Sequence, residues 1–200
     1  MIELYHHGSS VCAAKVRLVL AEKGVDWKGH YVDILKGDQF SPDYMKLNPR
    51  AVVPTLVHDG HAILESTVIC EYLDEVFPEP PLKPKNAGGR AEMRLWTKAV
   101  DELLHPMCAE ITFSASHRHT LARLGPEGLE KFLASTPPIS VTAAWHERKK
   151  VIVTQGFKAP DIEKAYLLYD GFLQKVAGRA ADGDVRGAAA MGCCRRRRHR

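Results

Sequence analysis

Two hundred residues with a formal net charge of +4 are enough for one domain of average size or two small ones. A composition of 45% hydrophobic and 26% charged residues is that of an ordinary globular chain and excludes collagen, coiled coil and wholesale disorder. No apolar run approaches the roughly 20 residues that span a bilayer, and Met1-Ile2-Glu3-Leu4-Tyr5 puts an acid where a secretory signal needs a basic flank, so a cytoplasmic chain free of the membrane is expected.

The first 77 residues alternate strand and helix signals. Ile2 to Tyr5 reads as a short strand, followed by the loop His6-His7-Gly8-Ser9 and a helix from Ser10 to Lys23 that Gly24 stops. Trp27 to Ile34 reads as a second strand, Pro42 to Leu47 as a short helix, Thr55 to His58 as a third strand and His61 to Leu64 as a fourth. Asp59-Gly60 between the last two is a two-residue hairpin signal. A helix from Glu65 or Ser66 to about Val76 ends at Phe77-Pro78, giving the order βαβαββα. The segment from Pro78 to Lys85 carries four prolines and continues neither helix nor sheet, which places a linker over 78–89. From Arg90 the chain reads as helix alone: Arg90 to about His117, Pro126 to Leu133, about Val141 to Thr154, and Asp161 to Val176. The last has Ile162, Ala165, Tyr166, Tyr169, Phe172, Leu173 and Val176 on one face. The expectation is an α/β domain over 1–77 and an all-α domain over 90–177.

Residues 178–200 differ in kind. Seven arginines and two aspartates there give +5, leaving the remainder of the chain at −1. A neutral body with a basic tail does not suggest a nucleic-acid partner. The tail has Val185 and Met191 as its only large aliphatic residues, too little apolar surface to offset ordering entropy, and disorder is expected. Cys12, Cys70 and Cys108 are scattered singly and Cys193-Cys194 lie in the tail, so neither a disulfide framework nor a zinc site is indicated. His117-x-His119 lacks a third ligand and i, i+4 spacing, and no metal is expected. Arg148-Lys149-Lys150 reads as a solvated helix face.

Three segments carry candidate chemistry. Ser9-Ser10-Val11-Cys12 lies at a strand-to-helix turn, where free backbone N–H groups and the positive helix end stabilise a thiolate or another anion; equally, Ser10 is a good N-cap and Cys12 a small buried filler. In Leu47-Asn48-Pro49-Arg50-Ala51-Val52-Val53-Pro54-Thr55-Leu56, a proline directly before a strand is compatible with a cis bond that turns the Val53 backbone outward to pair with an extended peptide. In Leu64-Glu65-Ser66-Thr67, Ser66 either caps a helix or receives a ligand carboxylate, with Glu65 facing a ligand ammonium.

Taken in order, the Ser-Ser-x-Cys turn, Asn-Pro-x-x-x-Val-Pro-Thr-Leu, Glu-Ser opening the third helix and the Pro-rich linker resemble the cytosolic glutathione transferases, the zeta and related bacterial types above all. The resemblance covers residues 1–135 well and 136–177 loosely. It implies a thioredoxin-like domain followed by an all-helical one, glutathione as co-substrate, no metal, and a homodimer formed through the first domain's last helix and the long helix from Arg90. Residue by residue, it implies that Ser10 donates a hydrogen bond to the glutathione sulfur, with Cys12 assisting or lining the turn. It implies contacts to the tripeptide from Ser9, Gln39, Val53, cis Pro54, Glu65 and Ser66. His105, Glu110 and Phe113 on the long helix are candidates for an electrophile pocket, although core packing or exposure explains them equally well. The implied activity is conjugation, substitution or isomerisation of a small electrophile; the rivals are thiol–disulfide exchange through Cys12 and a non-catalytic glutathione-binding or interaction module. The family's C-terminal helices open with a Ser/Thr-x-x-Asp capping box, yet no Ser or Thr follows Thr154. The helical domain is therefore expected to be incomplete at its C-terminal end, the tail arising either from a shifted reading frame near residue 178 or as a true basic tail that binds nucleic acid or an acidic membrane.

Overall fold

The computed structural model describes residues 1–136 and 145–181; residues 182–200 of the tail expected from 178 and the first part of the helix expected from Val141 lie outside them, whereas residues 178–181, expected to be disordered, continue the last helix. The chain begins with β1 (Ile2–His6), α1 (Val11–Lys23) and β2 (Lys28–Tyr31), followed by a 3₁₀ turn at Asp38–Phe40 and α2 (Pro42–Leu47). Then come β3 (Thr55–His58), β4 (His61–Ile63) and α3 (Ser66–Val76). The sheet order is β2-β1-β3-β4, with β1 parallel to β2 and antiparallel to β3, and β3 antiparallel to β4. Parallel pairing of β1 and β2 requires the crossover that α1 supplies. Asp59 and Gly60, both at positive φ (49° and 85°), make the tight β3–β4 connection the sequence predicts. The first helix stops at Gly24, which adopts the left-handed conformation at φ 63°.

One face of the sheet is dry. Ile2 and Leu4 of β1 and Leu56 of β3 pack against Val16 and Leu20 of α1 and Ile69 and Leu73 of α3, the alternate strand positions meeting helical i, i+4 pairs. On the other face Val32, Tyr44 and Val53 form a smaller cluster beside Tyr5. The fold is thus thioredoxin-like over this first part, as expected.

A buried ion pair ties the Pro-rich segment to this layer. Lys23 at the end of α1 and Asp74 of α3 hydrogen-bond in the interior, with side chains 0% and 5% exposed. Asp74 also accepts the Leu82 N–H at 2.8 Å, and the Lys23 ammonium donates to the Pro80 carbonyl at 2.7 Å. Each charge has a second partner from the linker, so the turn out of the first domain is held at two points.

The long helix predicted from Arg90 is a continuous helical path from 87 to 122. It comprises α4 (Ala87–Ala99), α5 (His105–Thr112) and α6 (Arg118–Ala122), separated by two π-helical segments, Val100–Leu104 and Phe113–His117. Asn86 caps its start, its Oδ1 accepting the Gly89 N–H. The helices α7 (Gly125–Ala134), α8 (His146–Gln155) and α9 (Ile162–Ala181) follow. Their core has two clusters, Leu121, Leu129, Leu133 and Val153, and Ile152, Ala159 and Ile162, which Phe113 joins. The two parts meet through polar bridges: Lys15 of α1 donates to Thr67 Oγ1 at 2.7 Å, and Thr67 donates to Asp101 at 2.7 Å.

Candidate functional site

The turn between β1 and α1 places two serines with different commitments. Ser10 is the N-cap of α1, its Oγ accepting the Ala13 N–H at 3.2 Å. Among the described residues its own hydroxyl proton has no acceptor. Ser9 Oγ lies 2.9 Å from His7 Nδ1 and 3.1 Å from His117 Nε2 on the second π segment.

The direction of that chain follows from one obligatory donor. The Ser9 backbone N–H points at His7 Nδ1 at 3.2 Å, so Nδ1 is the unprotonated nitrogen. The Ser9 hydroxyl then donates to His7 Nδ1 and accepts from His117 Nε2–H. His7 keeps its proton on Nε2, 3.8 Å from Asp33 Oδ1. His117 is left with a bare Nδ1, which is buried and meets no partner among the described residues. As a loop residue before the turn, His7 would either touch a ligand or be solvated, and His117-x-His119 is an improbable metal pair. His7 and His117 are both buried, at 5% and 7% exposed.

The loop before β3 is braced by a polar knot. Tyr44 donates from its hydroxyl to the Val52 carbonyl at 2.6 Å and sits 2.9 Å from Thr55 Oγ1; Asn48 Nδ2 donates to the same two oxygens at 2.9 and 3.1 Å. Burial pushes the Tyr44 phenol up to about 12, so it remains a donor at any working pH. The Val53–Pro54 bond is cis, and neither the Val53 N–H nor its carbonyl has a hydrogen-bond partner among the described residues. Gln39 is buried, its Nε2 donating to the Ile34 carbonyl at 3.3 Å while Oε1 stays unpartnered among the described residues. Glu65 precedes α3 at φ 66° and is ion-paired with Arg50, both about half exposed. Ser66, buried, is the first residue of α3.

These walls enclose two neighbouring cavities. The larger, about 330 Å³, is lined on the sheet side by Ser9, Ser10, Gln39 and Val53 and on the helical side by His105, Phe113, His117, Trp145 and Lys149. The second, about 230 Å³, is lined by Cys12, Lys15, Asp101, His105 and Tyr169 among others. Pro54, Glu65 and Ser66 line neither cavity.

Glu110 does not join its predicted companions, being held by Arg148 of α8 through two hydrogen bonds of 3.1 and 2.6 Å. Five residues on from His105, it is turned about 140° around the helix axis. The wider turn at Phe113–His117 delays the return of each residue to the same face, which is how His117 enters the cavity wall. The expectation of a solvated Arg148-Lys149-Lys150 face needs correction as well. Lys149 is 7% exposed, because it lies three and four residues before the core residues Ile152 and Val153 and shares their stripe. That spacing was the available signal.

Cys12 sits under a different influence from the one its helix position suggests. Its sulfur lies 3.4 Å from His105 Nδ1 and 3.8 Å from Nε2. Burial is the largest effect on its thiol and pushes it up, against the lowering from Ser66 and Lys15. The thiol form is favoured over the thiolate at neutral pH.

Burial likewise holds the imidazoles of His7, His105 and His117 below the ordinary value of 6.5. A lowered folded-state pKa means that the unfolded chain binds protons first as the pH falls. These groups therefore leave stability untouched well above 6.5 and withdraw it as the pH drops through that value. Urea midpoints should fall between about pH 7 and about pH 5, and His117→Asn should make the fall shallower. A midpoint that stays level over that interval would contradict the burial of neutral imidazoles.

A cavity bounded by a thioredoxin-like strand–turn–helix on one side and a helical domain on the other is the architecture of the glutathione transferases. A family model described as "Glutathione S-transferase, N-terminal domain" matches residues 9–76. Over 183 residues the chain is 30% identical to maleylacetoacetate isomerase of Mus musculus, covering 90% of this chain and 69% of that protein; the chain belongs to the glutathione S-transferase family. It is also 39% identical over 140 residues to Protein LigF of Sphingobium sp., covering 69% of this chain and 54% of LigF. It thus spans about half the length of that relative in the matched sequence. The crystal structure of the β-etherase LigF aligns with a TM-score of 0.75 at 30% identity, covering 88% of this chain and 71% of that one.

Proposed function

We propose that this protein binds glutathione along the loop before β3 and the N-terminus of α3 and activates its thiol through Ser10 for conjugation, substitution or isomerisation of a small electrophile held in the larger cavity. The observation that carries this is the free backbone edge of Val53, facing the same cavity as the one serine hydroxyl at the turn whose proton is uncommitted among the described residues. An extended cysteinyl unit pairing with Val53 brings its sulfur to the N-terminus of α1, where a donor and the helix dipole favour the anion. Ser66 and its N–H would receive the γ-glutamyl carboxylate. Glu65, already neutralised by Arg50, would meet the ammonium as part of a charge network, and Gln39 Oε1 offers an acceptor at the cavity wall.

Thiol–disulfide exchange through Cys12 is disfavoured by the burial that keeps its thiol protonated. A homodimer through α3 and α4 is supported by Val68 and Leu95, exposed at 54% and 69% on those helices. A cytoplasmic site of action accords with free thiols at Cys12, Cys70 and Cys108. Among the described residues, no helix is long and apolar enough to cross a membrane.

Calorimetric titration of the full chain with glutathione tests the binding step. A saturable heat is expected, and Ser66→Ala should weaken the affinity about tenfold, the worth of one hydrogen bond to a charged group. Absence of a saturable heat in the wild type would remove this function.

A further inference from the structure

The larger cavity contains a buried lysine that the proposed thiol activation does not use. The Lys149 ammonium lies 5.2 Å from the centroid of the Phe113 ring, 5.6 Å from that of Trp145 and 5.9 Å from that of Phe132. All three rings line the same cavity. Among the described residues, no carboxylate, carbonyl or hydroxyl receives its N–H groups. Aromatic faces attract the charge but accept none of its three N–H donors, so the ammonium, which keeps contact with the cavity space, has no hydrogen-bonding counter-charge there. The same fold treats its other buried lysine differently: Lys23 has Asp74 and the Pro80 carbonyl.

We propose that Lys149 is a specificity-determining residue of the cavity and that the co-substrate it selects is an aromatic compound carrying an oxyanion, a carboxylate or a phenolate. A planar ring fits among Phe113, Phe132 and Trp145, and an oxyanion on that ring supplies the acceptor that Lys149 lacks, through charge-assisted hydrogen bonds. A neutral ligand of the same shape would displace water from the ammonium and return nothing to it. The direction of the lysine's own ionisation agrees, since burial pushes it below the ordinary lysine value and a bound anion would push it back. His117 Nδ1, a lone-pair acceptor on the same wall, cannot substitute for Lys149 toward an anion. The assignment rests on the proposal that the larger cavity is where the electrophile lies.

The test is calorimetric binding to the full 200-residue chain without glutathione, using two matched pairs: benzoate against benzamide, and 4-nitrophenolate against nitrobenzene. In the wild type the charged member of at least one pair should bind about tenfold or more tightly than the neutral one; the pair showing the preference identifies carboxylate or phenolate. Lys149→Met should bring that ratio close to one while leaving benzamide affinity within about twofold, and Lys149→Arg should retain the preference. Ratios near one for both pairs in the wild type, or a preference undiminished in Lys149→Met, overturn the proposal. Should the Met variant not fold, Lys149→Gln takes its place under the same criteria, and the wild-type ratios still decide against the proposal if they are near one. Benzoate preference without glutathione binding would remove the glutathione function and leave Lys149 as an oxyanion receptor; glutathione binding without the preference would remove only the role of Lys149.

Discussion

Ser10→Ala lowers kcat/KM for glutathione-dependent turnover by about 10²- to 10³-fold, the usual loss when one preorganised donor to a developing or resident anion is removed. The choice of Ser10 over Ser9 is a matter of proton availability. The Ser9 hydroxyl spends its proton on His7 Nδ1 and receives one from His117, whereas Ser10 only accepts, from the Ala13 N–H. Losing that cap costs about 1 kcal/mol of stability, too little to account for the expected rate effect once activity is normalised to folded protein. Cys12→Ala should change the same constant by less than about threefold, because burial keeps that thiol protonated. Steady-state kinetics on the two variants separates the cases: unchanged turnover in Ser10→Ala, or a collapse in Cys12→Ala, would make Cys12 rather than Ser10 the activating group.

Asp74→Ala has the largest expected effect on stability, about 3–5 kcal/mol. The substitution strands a fully buried ammonium on Lys23 and releases the Leu82 N–H, so one change removes both the counter-charge and an anchor of the linker. Replacing both partners, as in Lys23→Met with Asp74→Leu, should cost much less than the single variant, since no uncompensated charge remains. Equilibrium urea unfolding of the single and double variants measures this. A single variant within about 1 kcal/mol of wild type would mean that water reaches Lys23.

Much of the first domain is written locally. Gly24, Asp59-Gly60 and Pro42 act through backbone preferences that need no tertiary context, and the strand and helix periods around them assign the elements to within a few residues. The second strand is shorter than its apolar and aromatic run suggests, Lys28–Tyr31 against Trp27 to Ile34, because those four residues pair in register with Glu3 to His6 of β1 and the last bond between the two segments is from the Val32 N–H to the His6 carbonyl.

The candidate site is legible where a segment carries its own chemistry and illegible where the long helix departs from a regular period. Ser9, Ser10, Gln39 and Val53 come from loops and turns, and the structure gathers all four on one cavity wall. On the helical wall the regular 3.6-residue period already turns Glu110 about 140° away from His105, while the π segment at Phe113–His117 changes which residues face inward and brings His117 to the wall. Lys149 escapes a sequence reading for another reason: a run of three basic residues looks solvated, although its middle member occupies the buried stripe with Ile152 and Val153.

By itself the sequence determined the βαβαββα order, the Pro-rich segment after it, the family motifs and the division of charge into a neutral body and a +5 tail, because each depends on residues close together in the chain. Tertiary structure decided which serine keeps a free proton, which histidines are buried, and that a lysine stands among three aromatic rings opposite the turn. Those properties belong to contacts between residues far apart in the chain, such as Ser9 and His117, and hydrogen-bond polarity and desolvation are set only when the two domains close on one another.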